Sequence, residues 1–311
     1  MAELGGLHHV TAITGDAPGN VDFYTRVLGM RLVKKTVNQD DVSAYHLFYA
    51  DRTGSPGTDM TFFDWPFAVP NQPGVPEIAP VTLRVPEGTL DWWAARLAEH
   101  RVAAELVAGR LAFTDPEGQR LELAGHAGAV RFEPWPESPV PEPYQVRGLH
   151  AVRLASVNPQ ATADLLRQVM GFSPTAEEEL EGGDRLYTFE LSGRDSGSEV
   201  GLLLPKEPRR SRQGRGGVHH VAFRAGDELE QEVWRARVVE AGLQPTPVID
   251  RFYFKSVYFR EPGGNLFELA TDGPGFTADE DAADLGHGLA LPPFLEPRRH
   301  EIEAGLTPLP T

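Results

Sequence analysis

Three short segments decide how this chain folds: Gly6-Leu7-His8-His9-Val10, Gly148-Leu149-His150-Ala151-Val152 and Gly217-Val218-His219-His220-Val221. They align without gaps, and each one opens a short β-rich run that leads into a helix-like segment. A second phrase recurs at residues 115–123 and 261–269, where a Pro/Gly turn feeds a strand in which glutamate alternates with apolar residues. Such self-similarity is typical of a chain built from repeated structural units.

These phrases divide the chain into four modules of similar length, at about residues 7–65, 78–124, 148–205 and 217–270. Each module is predicted to form a strand, a helix and then two or three strands, which makes the fold class α+β. Gly29 is expected to end the first helix. Asn158-Pro159 is expected to begin the third helix, and Asp227 with Glu230 to cap the fourth.

Residues 133–143 contain five prolines, which suit neither a helix nor a sheet interior and therefore predict an extended linker. We expect an N-terminal pair of modules in residues 1–132, a Pro-rich linker in residues 133–147 and a C-terminal pair of modules in residues 148–271. Residues 272–311 form a tail rich in Gly, Pro and acidic residues. Because the tail has no strong period, its position is not predicted.

The composition excludes several classes of function. Cysteine is absent, which rules out disulfide scaffolds, thiolate metal sites and cysteine nucleophiles. A formal net charge of −16 repels phosphate backbones, so nucleic acid is not an expected partner. No apolar run approaches the roughly 20 residues that span a bilayer, and the N-terminus does not read as a secretory signal. Neither a membrane association nor export is expected, and a cytoplasmic location is the simplest prediction.

The doubled histidines His8-His9 and His219-His220, Thr11 after the first pair, and the closing phrase at residues 262–269 together resemble the vicinal-oxygen-chelate superfamily. This superfamily includes glyoxalases, bleomycin-resistance proteins and extradiol dioxygenases. The resemblance covers about residues 7–270 and is closest to the ring-cleaving dioxygenases of the hydroquinone type. It implies four βαβββ modules that pair into two open mixed-sheet barrels, with a metal held inside.

Alignment of the repeats separates two sets of equivalent positions. One set is occupied by His9, His220 and Glu268, and the other by Pro80, Ala151 and Glu122. Only the first set can bind a metal, and two neutral imidazoles with one carboxylate leave coordination positions open, as in non-haem Fe(II) oxygenases. The predicted metal is Fe(II), with Mn(II) as the alternative. Asp59 or Asp64 is an alternative fourth ligand, because zinc glyoxalases of the superfamily tend to use a second carboxylate.

The family register selects the second histidine of each pair as the ligand. His8 and His219 are therefore predicted to orient the ligands or the substrate, with simple packing as the alternative. The resemblance further implies that Tyr258 is an acid/base or hydrogen-bonding group, that Arg251 faces the substrate oxygen, and that Thr11 borders the same pocket. In the alternative interpretation, Tyr258 is an ordinary strand aromatic and Arg251 is a loop charge.

These residues predict a ring-cleaving dioxygenase that acts on a hydroquinone- or catechol-like aromatic diol with O2 and needs no organic cofactor. The first alternative is a glyoxalase-like lyase or isomerase that uses the metal as a Lewis acid. The second is a protein that binds a small aromatic molecule without chemistry. A homo-oligomer is compatible with the sequence. Five histidines lack matched partners and receive no role: His46, His100, His126, His287 and His300.

Overall fold

The computed structural model describes residues 2–128, 131–194 and 197–309, and each of the four modules is a strand, a helix and three strands. The first module consists of β1 (Leu7–Thr14), α1 (Ala17–Asp22), β2 (Arg31–Asn38), β3 (Asp41–Ala50) and β4 (Asp59–Asp64). The second consists of β5 (Glu77–Pro86), α2 (Leu90–Glu99), β6 (Ala104–Val107), β7 (Arg110–Thr114) and β8 (Arg120–His126). The third consists of β9 (Leu149–Ala155), α3 (Pro159–Asp164), β10 (Ser173–Glu179), β11 (Arg185–Glu190) and β12 (Glu199–Leu204). The fourth consists of β13 (Gly217–Ala225), α4 (Glu228–Glu240), β14 (Ile249–Asp250), β15 (Lys255–Arg260) and β16 (Leu266–Thr271).

Short helical segments complete the described chain. Helices α1 and α3 continue as π-helical turns, Phe23–Val27 and Leu165–Val169. Single 3-10 turns lie at Glu142–Tyr144, Phe276–Ala278 and Glu296–Arg298, and α5 spans Arg299–Gly305. No helix within the described residues is both long and apolar enough to cross a membrane.

The strands form two open, curled sheets of eight strands each, as the α+β expectation required. The first sheet has the order β14-β15-β16-β13-β1-β4-β3-β2, and the second has the order β10-β11-β12-β9-β5-β8-β7-β6. Both sheets are mixed, since β1 pairs antiparallel with β13 and parallel with β4. The first sheet therefore joins the first and fourth modules, and the second joins the middle two.

The grouping of the modules into sequential halves, residues 1–132 and 148–271, is wrong. The Pro-rich segment connects β8 to β9 inside the second sheet, so it does not separate two units. It is also packed against the protein: Val140 and Val146 are buried, and the Gln145 amide donates to the Trp135 and Val140 carbonyls at 2.8 and 3.0 Å. Proline content predicted an extended segment, but a boundary also requires few contacts across it.

The predicted helix signals act locally as expected. The Asn158 side chain caps α3 by accepting from the Ala161 amide at 3.4 Å, and Pro159 is the first helical residue. The Asp227 side chain accepts from the Glu230 amide at 2.9 Å, while Glu230 accepts from the Gly226 amide. Gly29 has φ +69°, the left-handed conformation that ends a helix.

The first sheet is buried on both faces. Leu47 and Tyr49 of β3 join the main core, which contains the helix residues Trp93 and Trp234. Their neighbour Phe48 belongs to a second apolar cluster on the opposite face of the strand. This second cluster lies beside the candidate site.

The tail covers β2, which would otherwise be an edge strand. Its Ala290 amide donates to the Lys35 carbonyl at 2.9 Å. The Lys34 ammonium, fully buried, contacts Asp279 at 2.8 Å and also contacts Glu280. The tail thus packs against the edge of the first sheet, although its sequence has no periodic pattern.

Candidate metal centre

The three predicted ligands lie on adjacent strands of the first sheet. Antiparallel pairing places His9 of β1 opposite Ala222 of β13, and parallel pairing places Ala222 beside Glu268 of β16. His220 precedes Ala222 by two residues, so its side chain is on the same face of β13. All three residues are buried, with 2, 3 and 0% of their surface exposed, respectively, for His9, His220 and Glu268.

The ligand atoms converge to nearly equal separations. His9 Nε2 lies 3.3 Å from His220 Nε2 and 3.2 Å from Glu268 Oε2, and His220 Nε2 lies 2.9 Å from Glu268 Oε2. Metal–ligand bonds of about 2.1 Å at right angles would place neighbouring donor atoms about 3.0 Å apart. The observed separations fit one face of such a coordination sphere.

The hydrogen-bonding state of the cluster supports the same conclusion. Within the described residues, neither carboxylate oxygen of Glu268 accepts a hydrogen bond, although the side chain is fully buried. A buried carboxylate without donors is costly unless a cation neutralises it. The residues present therefore fit a divalent metal ion.

His8 fixes which nitrogen of His9 carries the proton. His8 Nε2 lies 3.1 Å from the Thr271 carbonyl, which only accepts, so Nε2 carries the proton of the neutral ring. His8 Nδ1 then accepts from His9 Nδ1 at 2.9 Å. This leaves a lone pair on His9 Nε2, the atom that faces His220 and Glu268.

The fourth module repeats this arrangement. His219 Nδ1 lies 2.8 Å from His220 Nδ1, so each candidate ligand is contacted by the histidine that precedes it. Burial lowers the pKa of both His8 and His219 to about 3. Burial also lowers the pKa of His220, which keeps its imidazole neutral at pH 7.

Tyr258 and Arg251 lie at the same cavity as the histidines. Tyr258 pairs with Glu268 across β15 and β16, and its ring centroid is 5.6 Å from that of His220. The Arg251 guanidinium lies 5.6 Å from the Tyr258 ring centroid and contacts Asp40 at 2.7 Å. Burial, with Glu268, raises the pKa of Tyr258, so the phenol keeps its proton at pH 7. Burial opposes the charge of Arg251, but hydrogen bonds to Asp40 and Tyr258 raise its pKa.

Thr11 lies behind the cavity wall. It is fully buried and accepts from the Thr61 hydroxyl at 2.8 Å. Thr61 in turn contacts His46 Nε2 at 3.1 Å. Thr11 therefore reaches the cavity only through its neighbours.

The cavity beside the candidate ligands is partly open to solvent. Aromatic side chains form much of its wall, and polar residues of the β2–β3 turn form its rim. The lining residues are His9, Thr36, Val37, Asn38, Gln39, Asp40, His46, Phe48, Phe63, His220, Arg251, Tyr253, Phe254 and Tyr258. His46 and the turn residues were missed by sequence reasoning, because only one module contains them and the repeats give them no counterpart.

The alternative fourth ligands do not join the cluster. Asp59 pairs with His9 across β1 and β4, and Asp64 ends β4. Across residues 2–128, 131–194 and 197–309, the only convergent group of His, Asp or Glu ligand atoms consists of His9, His220 and Glu268. The three-ligand arrangement is therefore the one that the described residues can form.

The second sheet has guanidinium groups at the equivalent position. Its Glu122 accepts from the Thr82 hydroxyl at 2.8 Å and contacts Arg110 and Arg153 at 3.4 and 3.5 Å. These cations neutralise the carboxylate without a metal. Glu122 therefore has cationic side chains as partners, whereas its repeat counterpart Glu268 faces two histidines and needs a metal ion for neutralisation.

Two curled sheets of paired βαβββ modules, with one two-histidine, one-carboxylate cluster, define the vicinal-oxygen-chelate class of protein. The family described as the Glyoxalase/Bleomycin resistance protein/Dioxygenase superfamily matches residues 6–123 and 148–269. The chain belongs to this superfamily, which confirms the resemblance found in the sequence.

Several relatives are similar over nearly their whole length. The "Putative ring-cleaving dioxygenase MhqA" of Bacillus subtilis strain 168 is 44% identical, with 99% of each chain covered. The chlorohydroquinone/hydroquinone 1,2-dioxygenase of Sphingobium indicum is 33% identical, covering 96% of this chain and 94% of the relative. A crystal structure of a B. subtilis protein titled as a putative dioxygenase has a TM-score of 0.93 at 37% identity, covering 100% of this chain and 99% of that one.

Proposed function

We propose that this chain is a metal-dependent dioxygenase that cleaves the ring of a hydroquinone- or catechol-like aromatic with O2. The convergence of His9, His220 and Glu268 beside an aromatic cavity is the observation that carries the proposal. The names of relatives at 33–44% identity support the same reaction class. Fe(II) is the proposed metal, with Mn(II) as the alternative, because this ligand set is typical of non-haem oxygenases.

When bound, the metal supplies open coordination positions at which a substrate oxygen and O2 can meet, and it passes electrons between them. The chain's own residues prepare that position. His8 holds His9 in the tautomer with a lone pair on Nε2, and the contact of His219 with His220 has the same geometry. Metal affinity thus depends on residues that are not themselves ligands.

Arg251 and Tyr258 are proposed to handle charge and protons. Arg251 remains a cation, so it can stabilise negative charge on the substrate oxygen. Tyr258 remains protonated beside His220, so it can donate a hydrogen bond or a proton to the reacting oxygen atoms. Phe63 and Phe254 line the cavity. Their rings would exclude water from the faces of a bound substrate ring.

The test is anaerobic loading of the chain with Fe(II), followed by oxygen-electrode traces against a panel of hydroquinones and catechols. We expect oxygen uptake in the chain as it is and no uptake in Glu268→Gln, which should also lose the metal. Tyr258→Phe is the matched control, because it should retain the metal and the substrate while losing turnover. A metal-loaded chain that consumes no oxygen with any of these compounds would contradict the proposal and favour a lyase or a binding protein.

A further inference from the structure

His46 is a cavity residue that the proposed reaction leaves without a role. It lies on β3, is half-buried and lines the cavity with the ligand histidines. Its ring packs between Phe48 and Phe63, with centroid distances of 4.0 and 4.5 Å. These contacts hold the imidazole in one orientation, which is a requirement for a specific polar contact.

The hydrogen bonds of His46 determine its tautomer. The Thr61 hydroxyl donates its only proton to Thr11 at 2.8 Å. The 3.1 Å contact between His46 Nε2 and Thr61 therefore requires that His46 Nε2 carry the proton and donate it. Nδ1 is then the acceptor nitrogen of a neutral ring, and it has no hydrogen-bond partner among the residues that the structure describes.

The electrostatic setting favours the neutral ring. Burial lowers the pKa of His46 well below its usual value, and the nearby His9, His220 and Arg251 lower it further. Among the described residues, the negative charge of Glu268 opposes this shift. At neutral pH the ring therefore has one acceptor nitrogen, Nδ1, and no second proton to donate.

The phenyl ring of Phe63 lies close to both His46 and the candidate metal cluster. Phe63 is 4.5 Å from His46 and 6.4 Å from His220, measured between ring centroids. The ligands occupy β16, β13 and β1, whereas His46 lies on β3, two strands beyond β1. A substrate bound at the cluster by one oxygen would extend across the cavity toward this acceptor.

The geometry points to His46 as a specificity-determining residue that accepts a hydrogen bond from a second hydroxyl, located on the far side of the ring from the metal. This assignment rests on the proposed function and refines its substrate class. A para-diol has one hydroxyl at each end of the ring and can satisfy both sites. An ortho-diol places both oxygens at the metal and leaves His46 without a donor, so para-diols are preferred.

The test measures binding without oxygen, on the Fe(II)-loaded chain under anaerobic conditions, by calorimetry. The probes are hydroquinone, 4-methoxyphenol, which lacks the distal proton, and catechol. We expect hydroquinone to bind about tenfold more tightly than 4-methoxyphenol, because one buried hydrogen bond is worth about that factor. This comparison needs no variant, so it does not depend on the folding of a mutant.

Two variants then assign the preference to His46. His46→Leu should bind hydroquinone and 4-methoxyphenol equally, with its affinity for catechol and its metal content unchanged. His46→Gln retains an acceptor and should keep part of the preference. Equal binding by the chain as it is, or a full preference in His46→Leu, would overturn the assignment.

The outcomes also separate this assignment from the proposed reaction. Chains that show the His46-dependent preference but never consume oxygen would retain the assignment and refute the dioxygenase. Oxygen uptake with a preference that is indifferent to His46 would do the reverse. Failure to bind any of the three phenols would refute both.

Discussion

Removing the acidic partners of Lys34 should destabilise the protein far more than removing Lys34 itself. The Lys34 side chain has 0% exposure, whereas Asp279 and Glu280 keep 17 and 16%. The double variant Asp279→Asn with Glu280→Gln leaves a buried ammonium that no carboxylate neutralises, with neutral amide oxygens and the Tyr253 ring, 4.7 Å away, as its neighbours. Breaking a buried pair from one side costs about 3–5 kcal/mol.

Replacing Lys34 itself should lower the free energy of unfolding only slightly. Lys34→Met fills the same space with an apolar chain, and the two carboxylates reach water, so the cost should be about 1 kcal/mol or less. Urea unfolding of the metal-free chains, followed by circular dichroism, measures both effects. Glu301→Gln is the matched control, since it breaks an exposed ion pair with Arg298 in the same tail and should change nothing measurable.

Equal costs for the two changes would refute this reasoning, because they would show that Lys34 is not held by desolvation. Substrate affinity provides an independent readout. Asp279 also accepts from the Tyr253 hydroxyl at 2.8 Å, and Tyr253 lines the cavity. The double variant should therefore raise KM, while Glu301→Gln should leave it unchanged.

Two further predictions concern the cluster and the core. His8→Phe should lower metal affinity about 10- to 100-fold by freeing the tautomer of His9, measured by competition with a chelator; His150→Phe, the aligned change in the second sheet, should not. Burial raises the pKa of Asp64 to about 6, so its proton contributes stability below pH 4 that is lost as the pH rises through 6. Asp64→Asn should therefore raise the free energy of unfolding by about 3 kcal/mol at pH 8 and by less than about 1 kcal/mol at pH 4, and an equal gain at both pH values would contradict this assignment.

The repeats made the modules, and the convergence of the three candidate ligands, predictable from sequence. His9, His220 and Glu268 occupy registers whose counterparts in the other modules cannot all bind a metal, and this contrast needs no coordinates. Asn158 and Asp227 cap their helices as expected, because capping depends on residues three positions away. Local rules and internal comparison were sufficient for these features.

Three other features depend on contacts that local rules do not describe. Strand pairing between β1 and β13 joins segments about 200 residues apart, and the prolines near residue 140 suggested a different division. His46 becomes a site residue only because the sheet curls and brings β3 to the cavity. The tail is held by single contacts, such as Lys34 with Asp279, rather than by a periodic apolar face.

The union of the first and last modules also sets an order of events during translation. His9 and His220 are 211 positions apart, and Glu268 follows later still, so a growing chain cannot complete the candidate metal cluster until its last module leaves the ribosome. The second sheet is made only from the middle modules, so it can assemble earlier. At that stage β1 has not yet paired with β13. Metal loading is therefore expected to follow synthesis of the last module, and ribosome-stalled chains ending before residue 268 should not retain the ion.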